Sequence, residues 1–215
     1  RAEMTRTAAL ATDVWIDARK TSNYALFLPH LQKNIDLKFK YVECFDPAED
    51  IYDILLDDYE RGMKTTQVKA IFDELKQDLV PFLAAVAGRA QTVSDACLHG
   101  YFPVDRQREF CLNVISRFGF EPDSWRLDPT VHPFASSSAT TDIRITTRYY
   151  KSFISPALFG SMHECGHGLY ENGVSPALER TVLCRDASNG LHESQSRLWE
   201  NLVGRSLPFW QHFYP

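Results

Sequence analysis

The sequence predicts a mainly α fold with one short β element beside a helix that carries an HExxH motif, and three observations support this. Apolar residues recur at three- and four-residue spacing over most of the 215 residues. One segment, Asp142 to Tyr149, alternates Ile143 and Ile145 with polar neighbours, as a half-exposed strand does. The motif, His163-Glu164-Cys165-Gly166-His167, lies in a segment with its own helix start and stop signals. With 44% hydrophobic and 24% charged residues the chain can bury a substantial core, which excludes a disordered class.

The opening residues, RAEMTRTAAL, read like the interior of a helix, with neither a signal-peptide apolar region nor an initiator Met, so we expect an excerpt of a longer chain. Asp46-Pro47-Ala48-Glu49 supplies a capping acid, a first-turn Pro and a Glu, and Ile51, Leu55 and Tyr59 follow at four-residue spacing until Gly62. Residues 41–60 hold eight acids (Glu43, Asp46, Glu49, Asp50, Asp53, Asp57, Asp58, Glu60) and no Lys or Arg, which reads as a solvated helix face. A second stripe (Val68, Ile71, Phe72, Leu75, Leu79) and a third (Phe110, Cys111, Val114, Ile115, Phe118) are expected in the core. From Gly119 to the strand the chain is rich in Pro, Ser and Thr and reads as a long irregular connection. The motif helix takes Ser155 as cap, Pro156 at its first position and Asn172-Gly173 at its end.

Charge and composition remove several classes. Lys plus Arg is 23 and Asp plus Glu is 28, a net charge of −5, so no basic excess points to nucleic acid. The longest strongly apolar run, Leu79 to Ala87, is interrupted by Pro81 and is far short of the ~18 residues that cross a membrane. Five scattered cysteines with no CxxC pair read as free thiols in a reducing cytoplasm. Without repeats or a linker, residues 1–215 read as a single domain.

The motif supplies the chemistry. Residues i and i+4 share a helix face, with side chains ~5–6 Å apart, so His163 and His167 can both reach one zinc ion. Glu164 is rotated ~100° from His163 and is placed to act on a water beside the metal as a general base. HExxH also arises by chance in roughly one such sequence in a hundred, so its context matters. Gly160, Gly166 and Gly168 weaken the helix and mark places where something approaches its backbone. The extended HExxHxxGxxH motif is excluded, because Tyr170 and Gly173 stand where it needs Gly and His. For a third ligand the sequence offers Glu193 on a following helix whose apolar side is Leu191, Leu198 and Leu202. Glu171, Glu179, Asp186, His192 and Glu200 are rivals, and Glu193 also fits a plain surface pair with Arg197.

Four boxes in this order, HPF at His132 to Phe134, DIRITTRY at Asp142 to Tyr149, HECGHGLYENG, and GLHESQSRLWENLVGRS, resemble the carboxypeptidase Taq family of thermostable metallocarboxypeptidases. The resemblance covers essentially all of the chain. It implies a helical zinc-metallopeptidase domain with His163, His167 and Glu193 as metal ligands and Glu164 as general base. His132, Asp142, Arg144 and Thr146 are implied to stand near bound peptide. It further implies one zinc per chain, or cobalt or another divalent metal in its place, peptide substrates cut at the C-terminal bond with broad specificity, a cytoplasmic setting and a homodimer. Gly168 departs from the family's common Ala, and Asn172 from its common Gln. Family members are longer, so N- and C-terminal parts are expected to be missing here, leaving the helices that begin near Pro47 and Thr66 with exposed apolar faces. Two other readings share these residues. One is a zinc endopeptidase or aminopeptidase with the same ligand set; the other is a non-catalytic metal-binding helical fragment, which would have no use for Glu164.

Overall fold

The computed structural model describes residues 1–46, 50–184 and 188–214. The chain divides into two compact units, Arg1–Leu79 and Val80–Pro215.

The first unit opens with a helical hairpin of α1 (Ala2–Thr21) and α2 (Tyr24–Val42). Ser22 adopts a left-handed φ of 51°, and the N–H groups of Ser22 and Asn23 donate to the carbonyls of Arg19 and Ala18, which ends α1 and turns the chain. The buried residues of α1 are small (Thr7, Ala11, Ala18), so α2 comes close enough to bury Leu37 and Tyr41. α3 (Ile51–Asp57) starts at Asp50, whose carboxylate accepts the Tyr52 N–H at 2.8 Å. The expected first-turn signals Pro47 and Glu49 lie outside the described residues.

Two expectations need correction in this unit. Asp53 is buried rather than solvated, and its carboxylate accepts from both the N–H and the hydroxyl of Thr65 at 2.7 Å, with Lys64 at 3.3 Å. It thus caps the start of α4 (Thr65–Ala87) from another helix. The stripe Val68, Ile71, Phe72, Leu75, Leu79 on α4 is not core: among the described residues, no residue of α4 is buried. Helical periodicity produces an apolar face but does not supply the surface that covers it. Ile51 and Tyr59 are exposed in the same way.

In the second unit α5 (Val104–Ser116) buries Cys111, Val114 and Ile115 completely, as its stripe predicts. The stretch expected to be irregular contributes two strands besides the predicted one: β1 (Trp125–Pro129), β2 (Ala135–Ala139) and β3 (Asp142–Thr147) form a sheet in the order β1-β3-β2. β1 runs parallel to β3, with Trp125 opposite Ile143 and Leu127 opposite Ile145, while β2 runs antiparallel. β1 alternates Trp125 and Leu127 inward with Arg126 outward, but over only five residues. β2 is Ala-Ser-Ser-Ser-Ala, which carries no apolar alternation; pairing with β3 imposes its conformation.

α6 (Ser155–Asn172) is the motif helix; it begins with Ile154 in the cap position expected for Ser155 and ends at Gly173. It packs on the sheet and on α5 through a core that includes Ile115, Trp125, Ile143, Ile145, Ala157 and Cys165. A second cluster joins Val114, Leu158, Phe159 and Met162 to Phe209 of α8 (Leu207–Phe213). α7 (Asn189–Arg197) lies against α6 and runs on into a π-helical turn, Leu198–Val203. Leu191, Leu198 and Leu202, the expected apolar side of α7, are exposed among the described residues. The result is a mainly α architecture with a small sheet, as the sequence predicts. All five cysteines are free, and no helix among the described residues is long and apolar enough to cross a membrane.

Candidate metal centre

The glycines of α6 set how close its neighbours come. A Cβ on Gly166 would stand 2.6 Å from the carbonyl oxygen of Gln195 and from Cα of Ser196, so α7 reaches α6 only because that side chain is absent. Gly168 faces the sheet, where a Cβ would collide with the indole of Trp125. That indole occupies the space a methyl group would need, which gives the Gly at this position a local reason.

This close approach carries Glu193 to the two histidines. Glu193 Oε2 is 3.2 Å from His167 Nε2 and 3.6 Å from His163 Nε2, and the three donor atoms lie within 4.8 Å of one another. Ligands at ~2.0–2.1 Å around a tetrahedral ion are separated by about 3.3 Å, so the donor set fits one divalent ion. The other carboxylate oxygen, Oε1, accepts from Arg197 Nε at 2.7 Å, so the expected i,i+4 pair and the metal-facing geometry coexist in one side chain. Burial pushes the Glu193 carboxyl up, but the bonds from Arg197 and Ser196 and the charges of His163 and Arg197 outweigh it and hold the carboxyl below its ordinary value. Burial, with repulsion from His192 and His163, pushes His167 down to about 4. His167 is therefore a neutral lone-pair donor at pH 7, and its approach to Glu193 is not an ion pair.

The outward nitrogens are also satisfied. His163 Nδ1 bonds Glu200 Oε2 at 2.9 Å, and Glu200 is held by Arg197 at 3.2 Å and Arg205 at 3.1 Å. His167 Nδ1 meets His192 Nδ1 at 2.6 Å, and His192 Nε2 meets Glu171 Oε1 at 2.9 Å. Three of the rival ligands thus occupy an outer ring that orients the histidines. Sequence spacing signals only part of this, since Glu171 lies four residues beyond His167 on the same helix face. Of the other rivals, Glu179 binds Thr140, and Asp186 lies outside the described residues.

Glu164 is buried yet lines a cavity of 630 Å³ shared with His163, His167, Glu193, Phe159 and the His132–Phe134 segment. Burial, with repulsion from Glu193 and Glu200, pushes its carboxyl up to about 8, so it binds a proton far more readily than an ordinary carboxylate. Among the residues expected near substrate, His132 lines this cavity. Thr146 does not; its hydroxyl accepts the Phe134 N–H at 2.8 Å and donates to the Phe134 carbonyl at 3.0 Å, fixing the cavity wall. Asp142 and Arg144 pair with each other through two bonds of 3.0 and 2.8 Å and are not among the lining residues.

The sequence matches the carboxypeptidase Taq (M32) metallopeptidase family over residues 1–215. It is 39% identical over 222 residues to thermostable carboxypeptidase 1 of Thermus thermophilus, covering 99% of this chain and 44% of the relative. Among solved structures, the BsuCP crystal structure superposes with a TM-score of 0.94 at 35% identity, covering 99% of this chain and 43% of that one. The M32 carboxypeptidase from Deinococcus radiodurans R1 gives 0.84 at 36% identity, covering 100% of this chain and 44% of that one. The chain spans less than half the length of the relatives it matches.

Proposed function

The chain belongs to the carboxypeptidase Taq (M32) metallopeptidase family, and from that premise we propose that it forms the metal-binding part of a carboxypeptidase that removes C-terminal residues from peptides with broad specificity. The observation that carries this reading is the cluster of His163, His167 and Glu193 donor atoms beside the buried Glu164. His163 and His167, through Nε2, and Glu193, through Oε2, would hold one zinc ion per chain, with cobalt or another divalent metal as a substitute. Bound there, the ion would polarise the scissile carbonyl and make water acidic enough to attack it near neutral pH.

The remaining steps belong to the chain. Glu164 takes a proton from the attacking water onto its carboxylate and passes it to the leaving amine nitrogen. Arg197 holds Glu193 in place, and Glu200 holds His163. His132 and Phe134, on the wall pinned by Thr146, and Phe159, which lines the same cavity, would flank the peptide. Asp142 and Arg144, paired with each other, would brace β3, the central strand of the sheet beside this wall. A single metallopeptidase domain over residues 1–215, peptide substrates, a cytoplasmic setting and a homodimer are part of the same proposal.

The test compares an N-acylated peptide with its C-terminal amide, using the purified, metal-loaded protein. A free carboxylate is recognised by charge-assisted hydrogen bonds, so the acid should be trimmed stepwise and the amide cut at least ~10-fold more slowly. Glu164→Gln should keep the metal and lose at least ~10²-fold in turnover. Internal fragments, or equal rates for acid and amide, would replace the carboxypeptidase reading with that of an endopeptidase.

A further inference from the structure

We propose that His192, with Glu171 behind it, is the positioning pair of the metal centre, fixing the tautomer and the ring orientation of His167. The inference rests on the metal reading above and adds to it a role for two residues that bind no metal themselves.

Proton bookkeeping carries the first half of the argument. The Glu171 carboxylate only accepts, so His192 Nε2, 2.9 Å away, carries a hydrogen. With that hydrogen on Nε2, the Nδ1 of His192 is the nitrogen that faces His167 Nδ1 across 2.6 Å, a contact in which one nitrogen donates and the other accepts, and the tautomer with His167 donating is the one that suits a metal ligand. A hydrogen on His167 Nδ1 leaves Nε2, the atom turned toward Glu193 Oε2 at 3.2 Å, as the lone-pair nitrogen. The reverse pattern would place a hydrogen on His167 Nε2 and deny that atom to an ion.

Geometry carries the second half. The centres of the two rings are 4.6 Å apart and the nitrogens 2.6 Å apart, so the rings meet edge to edge through those nitrogens. Tyr170 lies against the other ring of the pair, its centre 4.6 Å from that of His192. The second carboxylate oxygen of Glu171 accepts from the Ser137 hydroxyl at 2.9 Å, which anchors the pair to β2. His167 and Glu171 sit one turn apart on α6, and His192 bridges them from the first turn of α7, which Ser188 caps. His163 is held differently, by Glu200 between Arg197 and Arg205. The two ligand histidines therefore have outer partners of different chemistry, a neutral imidazole for one and an arginine-bound carboxylate for the other.

A pair that merely ties α6 to α7 would act on the metal only by placing Glu193, so in a Glu193→Ala background the effect of His192→Phe on metal affinity would vanish, whereas a pair that orients His167 keeps its effect there, and this separates the two roles. The experiment titrates the metal-free protein with Co(II), reading the visible absorption of the bound ion and its dissociation constant by chelator competition. His192→Phe keeps a ring in place and removes both nitrogens; it should weaken Co(II) binding by about 10–100-fold and shift the absorption envelope. Glu171→Gln should act in the same direction and less strongly. Because the two residues work in series, the double variant should bind no more weakly than His192→Phe alone. Co(II) binding within twofold of the unchanged protein in His192→Phe, or losses that simply add in the double variant, would overturn the proposal. Should His192→Phe not fold, unchanged affinity and spectrum in Glu171→Gln would overturn it equally. Failure of the unchanged protein to bind Co(II), or full binding by His167→Ala, would overturn the metal reading and this inference with it.

Discussion

α4 and α6 are helices of opposite kinds. α4 has 23 residues, a regular apolar stripe and no interior glycine, yet among the described residues none of its side chains is buried. α6 has 18 residues and interior glycines at 160, 166 and 168, a poor composition for a helix, yet half of it is buried. Periodicity says that a helix has a face able to pack. The glycines say that a neighbour does pack, where, and at what distance. In α6 that information bears on the candidate metal centre, because the neighbour admitted at Gly166 is the helix that carries Glu193.

The contrast is tested most severely at Gly166. The atoms that a new Cβ would meet are backbone, at 2.6 Å, so no rotamer change relieves the clash and α7 must move away. Gly166→Ala should destabilise the protein by about 1–3 kcal/mol in calorimetry, although alanine is the better helix former. Displacing Glu193 should also weaken metal binding by about 10-fold or more in chelator competition. Unchanged metal affinity would mean that the closeness of α7 and α6 does not set the ligand geometry.

Much of this was legible in the sequence, and the misses share a cause. The helical class, the strand at Asp142 and the limits of α6 follow from local pattern, which one segment carries by itself. β2 was missed because Ala-Ser-Ser-Ser-Ala becomes a strand only through pairing with β3. At the centre, His163 and His167 are fixed by helix spacing, whereas Glu193 and its rivals could be ranked only with help from the family resemblance. What divides them is which side of an imidazole each one faces, a tertiary fact with no signature in spacing. Asp53 is the same case in the first unit: among the described acids of the charged run it alone is buried, where Thr65 comes back to meet it.

Asp53 gives the intermediate effect. Its bonds, led by the one from the Thr65 backbone, hold the carboxyl below its unfolded value, so the stabilisation is present above the unfolded pKa and is lost as pH falls through the folded one. Thermal melts followed by circular dichroism should show a midpoint that is flat near neutrality and declines below about pH 4. Asp53→Ala should lower the neutral midpoint by about 2–4 °C and flatten part of that acid decline, with no change in metal affinity. An unaltered acid profile would remove Asp53 from its role as the cap of α4.

The smallest effect is expected on α4 itself, at the positions where the apolar pattern looks most like core. Ile71 and Leu75 are 54% and 51% exposed, so replacing them with Gln removes little buried surface, and Gln is nearly as good a helix former as Leu. Ile71→Gln and Leu75→Gln should each change stability by no more than about 0.5 kcal/mol, or about 1–2 °C in the midpoint. Because the same side chains form an uncovered apolar face, both substitutions should reduce binding of a hydrophobic dye. A loss of ~2 kcal/mol or more at either position would be the signature of a filled contact, since truncating a buried side chain costs that much and truncating an exposed one does not. The two outcomes are far enough apart that a single melting curve per variant decides whether the α4 stripe works as a core or only resembles one.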